Sequence, residues 1–225
     1  MNADSIHFPG FDLLGLCMPK IGAFERHSDA YDDWFDKNQE AYAAELKAIR
    51  QLLPTGNATG LEIGIGSGKF AIPLGIKIGV EPSIQMAAKA KKLGLEVHPG
   101  VAEELPFPAD QFDFVLMVTT ICFVDDVVKS FQEALRVLVP GGCILVGFVD
   151  MESELGQKYL QNRHKSKFYQ EATFFSTQEV LDYLKIAKFR TTEIKQTLIP
   201  GDPEETVLDG FGQGAFVVIK ATKEG

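Results

Sequence analysis

Gly60-Leu61-Glu62-Ile63-Gly64-Ile65-Gly66-Ser67-Gly68 decides the fold: an apolar run of strand length breaks into glycines at every second position. Glycine has no Cβ, so backbone amides in such a loop can come close to a ligand. Working outward, short apolar or β-branched runs recur at 76–80, 95–98, 112–118 and 143–149. Most are continuously apolar rather than alternating, as strands of a parallel sheet covered on both faces are. Helical stretches lie between them. The segment 83–93 opens with a capping serine, and 125–138 spaces Val127, Phe131, Ala134, Leu135 and Leu138 helically before Pro140-Gly141-Gly142 stops it. This alternation predicts a doubly wound α/β sheet, with the glycines at the carboxyl end of its first strand, where ligands of such sheets bind.

The flanks complete a single unit spanning 1–225, with a cap at 1–53, a ligand-binding half at 54–149, and a lid segment, helix and final strand pair at 150–225. The first residues are irregular, and 28–53 then reads helical, with Tyr42, Leu46, Ile49 and Leu53 as an apolar stripe. After a polar stretch at 151–172, Ser176-Thr177-Gln178-Glu179 is a capping box that launches a helix to about Ala187. The segments 191–199 and 215–222 read as the closing strands, joined by the loop 200–214.

Composition narrows the function. The chain has 225 residues, 45% apolar and 24% charged, enough to bury a full core without disulfide or metal staples. Its net charge of −9, with no concentration of Lys and Arg, argues against nucleic acid as partner. The longest apolar run, 112–124, is broken by Asp113 and two threonines, so no membrane span is expected. No signal-peptide pattern opens the chain. Cys17, Cys122 and Cys143 lack metal-site spacing, which fits free thiols in a reducing cytoplasm.

The glycine loop fails two common patterns. A phosphate loop would need glycine at Ile63 and Ser or Thr at Phe70, and the dinucleotide fingerprint would need its third glycine at Lys69. The second strand ends in Gly79-Val80-Glu81-Pro82-Ser83, placing a carboxylate 17 positions beyond Gly64. There it can reach both hydroxyls of a ribose lying over the loop.

Taken together, Glu62-x-Gly64-x-Gly66-x-Gly68, Gly79-Val80-Glu81-Pro82-Ser83 with Met86, Ala102-Glu103 with Leu105-Pro106-Phe107, Phe112-Asp113 and Leu138-x-Pro140-Gly141-Gly142 resemble the class I S-adenosylmethionine-dependent methyltransferases. The similarity is to the ubiquinone and menaquinone type acting on small molecules. The resemblance implies a Rossmann-like, mostly parallel seven-stranded sheet with an antiparallel last strand, and S-adenosylmethionine as donor with S-adenosylhomocysteine as product. It also implies that Glu62 and the glycines Gly64, Gly66 and Gly68 hold the methionine end, Glu81 with Pro82 the ribose, Met86 an adenine face and Ala102-Glu103 the adenine edge. Thr119 would face methionine and acceptor. Val101 stands where the family often has Asp, and only residues 69–75 separate the loop from the second strand.

For the acceptor, Tyr31 and Trp34 at the cap, His164 in the polar stretch and Phe211 in the closing loop are the candidates, and 31–35, 151–172 and 200–214 are the segments expected to gate it. Thr119-Thr120-Ile121-Cys122 is unlike the Asn/Asp-Pro-Pro-aromatic motif of adenine and glutamine methylation. Methyl transfer needs no obligatory base, and none is assigned. His7, His27 and His98 read as ordinary histidines and Cys122 as packing. A nucleotide-dependent oxidoreductase and a non-catalytic S-adenosylmethionine-binding regulator are the alternatives.

Overall fold

Leu61 and Ile63 turn to one face of the sheet and Glu62 to the other, the alternation any strand imposes. In the computed structural model, which describes residues 20–202 and 206–224, Gly60–Ile63 is the central strand β1. It pairs in parallel with β2 (Ile78–Val80) and β4 (Phe112–Val118), setting Leu61 opposite Ile78 and Val115. β3 (Glu96–His98) flanks β2, and β5 (Leu138–Val149) flanks β4. β8 (Phe216–Lys223) runs antiparallel between β5 and β6 (Phe189–Thr197). The sheet has eight strands where seven were expected. The extra one, β7 (Leu208–Asp209), is a two-residue edge pairing on Lys195 and Gln196 within the 200–214 loop, too short to leave a periodic signal.

Two cores sandwich the sheet. Leu61, Val115, Met117, Ile144, Val146, Val217 and Ile219 meet α5 (Val127–Val137) and α7 (Thr177–Ile186) on one face. Phe114, Leu116, Leu145, Phe216 and Val218 meet α2 (Gln39–Leu52) and α4 (Ile84–Lys92) on the other. Asp126 and Ser176 cap α5 and α7, the latter with the full capping box. The link between β1 and β2 contains only a single helical turn, α3 (Ala71–Leu74). α2 covers the gap: the Tyr42 hydroxyl donates to the Lys69 carbonyl and Arg50 Nη2 to the Pro73 carbonyl at 3.0 Å.

The cap reading is corrected in detail. Helix begins at Gly22, and α1 (Gly22–Lys37) is separated from α2 at Asn38, whose Nδ2 donates to the Trp34 carbonyl at 2.7 Å. Lys89 of α4 clamps α1 through Asp29 and Asp32, each at 2.7 Å. The stretch 151–172 holds a helix missed in the sequence, α6 (Glu154–Asn162), capped by Ser153 and followed by a tight turn at Arg163–Lys165. Its few apolar positions leave little helical period. Among the described residues no helix is long and apolar enough to cross a membrane. The readings for the irregular start, His7 and Cys17 lie outside the described residues.

Candidate functional site

The carboxyl ends of β1, β2 and β4, the turn after β3 and the end of β5 surround a cavity of about 280 Å³. The glycine loop forms its floor. Gly64 adopts φ +71°, and a Cβ there would lie 2.5 Å from Thr120 Oγ1. Its N–H donates to the Val80 carbonyl at 2.8 Å, locking the loop to β2. Gly66, at φ +55°, lines the cavity, and its N–H donates to Glu81 Oε2 at 2.8 Å. Glu81 Oε1 accepts from Ser83 N–H at 2.9 Å. Burial pushes the Glu81 carboxyl up to about 7, against the downward pull of these two amides.

Glu62 is buried and does not itself line the cavity; its Oε2 has no hydrogen-bond partner. Burial first, and then the nearby Glu81 charge, hold this carboxyl well above its usual range. Pro82, Met86, Ala102, Glu103 and Thr119 all line the cavity. Glu103 Oε1 accepts from the Asp125 and Asp126 amides at 2.8 and 3.2 Å, tying the turn after β3 to the start of α5. Thr119 sits at φ +51°, a left-handed conformation that β-branched residues seldom adopt. Its N–H donates to the Gly147 carbonyl at 2.8 Å, and the Cys122 thiol donates to its carbonyl.

Opposite the loop stands an aromatic wall. Phe24 and Tyr31 of α1 meet Phe168 at centroid distances of 5.4 and 6.0 Å, and Tyr169 stacks with Tyr159 of α6 at 5.3 Å. Phe123, after β4, closes against Phe24 at 4.9 Å. Of the four acceptor candidates, Tyr31 and Trp34 line the cavity, and His164 and Phe211 do not. His164 is exposed on the turn after α6. Phe211 is 42% exposed, and its loop is held on β6 by the Gln213 and Gly214 amides donating to Gln196 Oε1. The described residues of the segment 200–214 do not line the cavity. Gly68 also lies outside it: a Cβ there would meet Leu95 at 2.6 Å, so this glycine serves packing. Cys122 is a half-buried thiol whose ionisation desolvation pushes up to about 12, unsuited to nucleophilic attack.

Sequence reading missed Phe24, Phe123, Tyr159, Phe168, Tyr169 and Glu45. Only Glu45 left a signal. It sits three positions after Tyr42 and four before Ile49, a charge on the apolar stripe of its helix.

The methyltransferase domain family matches residues 61–146 of this chain. A crystal structure from Thermotoga maritima, described as an S-adenosylmethionine-dependent methyltransferase and possible histamine N-methyltransferase, is 48% identical. It superposes with a TM-score of 0.87 over 91% of this chain and 100% of its own. An uncharacterized protein of Methanocaldococcus jannaschii is 41% identical over 90% of this chain and 100% of its own. A ubiquinone/menaquinone biosynthesis C-methyltransferase of Rickettsia massiliae is 31% identical over 136 residues, 52% of this chain and 53% of that one.

Proposed function

Because this chain belongs to the class I S-adenosylmethionine-dependent methyltransferases, we propose that its methyl acceptor is a small organic molecule held between the glycine loop and the aromatic wall. The observation that carries this reading is the form of the cavity. Cap and lid side chains, Phe24, Tyr31, Phe168 and Tyr169, close over the strand ends and leave a mostly apolar cavity of about 280 Å³. The net charge of −9 supports a partner other than nucleic acid. The free thiols of Cys122 and Cys143 fit a cytoplasmic setting.

The residues present suit the cofactor. Glu62 offers a buried oxygen that lacks a donor, as the cofactor's ammonium group requires. Gly66 leaves open space where a Cβ would come 3.4 Å from Met86 Cε and 3.8 Å from Tyr31. Glu81, its position fixed by the Gly66 and Ser83 amides, would accept from the ribose hydroxyls, with Pro82 beside it. Met86 would pack on the adenine, and Ala102 and Glu103 would border its edge in place of the Asp that Val101 replaces. Thr119, which lines the cavity, would face the reacting end.

When bound, the sulfonium supplies an electrophilic methyl group for in-line displacement. The chain's part is to align the acceptor and exclude water, effects that contribute several kcal/mol without a covalent enzyme intermediate. Ligand binding and turnover test the reading together. S-adenosylhomocysteine at 100 times its Kd should stabilise the fold by about 2.7 kcal/mol in thermal unfolding. S-adenosylhomocysteine release should accompany methylation of members of a small-molecule panel. Methylation of protein or RNA alone would refute the small-molecule reading.

A further inference from the structure

One buried carboxylate of the cavity has no task in that reading. Glu45 on α2 is 5% exposed and lines the cavity. Among the described residues it forms no ion pair or side-chain hydrogen bond; burial alone acts on it, pushing its carboxyl up to about 8. An unpaired buried carboxylate is costly to a fold, and an apolar residue of similar size would suit the same helix stripe better. Its retention among aromatic rings points to a cationic ligand, because a carboxylate beside the negative faces of Tyr and Trp is a receptor for positive charge.

Glu45 borders both sides of the cavity. Tyr31 and Tyr42 feel its charge together with that of Glu62, whereas Tyr159 and Tyr169 of the lid feel Glu45 and neither Glu62 nor Glu81. These two tyrosines also line a small adjoining cavity with Thr119, Cys122 and Thr173, past the end of β4. Lys20, the cavity's cation on that side, is turned toward Thr173, with its Nζ 3.5 Å from Oγ1.

We propose that Glu45, with Tyr31, Trp34, Tyr159 and Tyr169, forms a subsite for the amino group of the methyl acceptor, so that the acceptor is an amine. The proposal rests on the methyl-transfer reading above. The amine enters as its ammonium ion, and the Glu45 carboxylate accepts one N–H proton, freeing the nitrogen lone pair. That pair forms the new N–C bond as the methyl C–S bond breaks. The C–S electrons remain on sulfur, and the positive charge passes from sulfur to nitrogen. The proton held by Glu45 leaves to solvent with the product.

The test uses the full chain saturated with S-adenosylhomocysteine and titration calorimetry at pH 8. Benzylamine, phenethylamine and tryptamine are each compared with the alcohol of the same shape. At least one amine should bind ten times or more tightly than its alcohol. Glu45→Gln should bring the two within twofold while leaving S-adenosylhomocysteine affinity within twofold of wild type. Glu45→Leu should behave alike, and neither variant should melt below wild type, since each removes an unpaired buried charge. An amine preference that survives Glu45→Gln overturns the proposal, as does a panel in which no amine exceeds its alcohol. So does a loss of S-adenosylhomocysteine binding in Glu45→Gln as large as the loss of amine binding, because Glu45 would then serve the methionine end. Failure of wild type to bind S-adenosylhomocysteine removes the methyl-transfer reading itself, and this subsite with it.

Discussion

Replacing Glu81 by glutamine tests the cofactor assignment at one carboxylate. The wild-type side chain accepts from Gly66 N–H at 2.8 Å and from Ser83 N–H at 2.9 Å, leaving lone pairs on both oxygens for a ribose. Glutamine has the same size but turns one acceptor into a donor, so one backbone N–H meets another N–H and one ribose hydroxyl loses its acceptor. A hydrogen bond to a charged partner contributes about 1.5 to 3 kcal/mol, which corresponds to roughly ten- to a hundredfold in S-adenosylhomocysteine affinity. pH supplies an independent handle. Burial raises the free Glu81 carboxyl to about 7, and hydroxyls that donate to its ionised form must lower that value on binding. By linkage, affinity then increases as pH rises through about 7. Calorimetric titration should give a Kd about three- to tenfold lower at pH 8 than at pH 6, and Glu81→Gln should flatten this dependence. Glu62 and Glu45 are also raised by burial and remain in both proteins, so the difference between the two slopes isolates Glu81. Equal dissociation constants, or equal slopes, would refute the assignment.

The same buried carboxyls make the ligand-free fold sensitive to alkali. Glu45 and Glu81 rise from 4.5 to about 8 and about 7, so the stability they contribute is complete below about pH 4.5 and is lost as pH climbs through 7 to 8. The melting temperature should fall between pH 5 and pH 8, less so in Glu45→Gln; a flat or rising profile contradicts this. Gly64→Ala forces a Cβ to 2.5 Å from Thr120 Oγ1 at φ +71°, and should cost about 1 to 3 kcal/mol in urea unfolding; unchanged stability would mean the loop is not locked as described. Phe168→Ala should lower turnover or raise acceptor KM at least tenfold on any acceptor the panel yields, whereas Phe211→Ala, on an exposed ring outside the cavity, should stay within about 0.5 kcal/mol of wild type. Equal effects of the two would place the acceptor wall wrongly.

What the sequence determined by itself was local. Continuous apolar runs place β1, β4 and β5, the spacing of Val127, Phe131 and Ala134 places α5, and Ser83 and Ser176 mark helix starts, because strand period, helix period and capping are set by near neighbours in the chain. The meeting of Gly66 with Glu81 was legible for the same reason. They occupy adjacent strand ends, so short spacing and the rule for open sheets bring them together. The acceptor wall was decided by tertiary packing. Phe168 and Tyr169 lie in a segment without period. Phe168 is packed by Phe24 and Tyr31 from the far end of the chain, and Tyr169 by Phe123 and Tyr159. His164, a few residues earlier, is turned outward by the Arg163–Lys165 turn. Phe211 is kept from the site by hydrogen bonds to Gln196. Glu45 reads in sequence as a flaw in an apolar stripe, and becomes a cavity carboxylate only when α2 closes over the gap left by the short α3. Contacts between residues more than a hundred positions apart are selected by how finished elements fit together, and no local period encodes them.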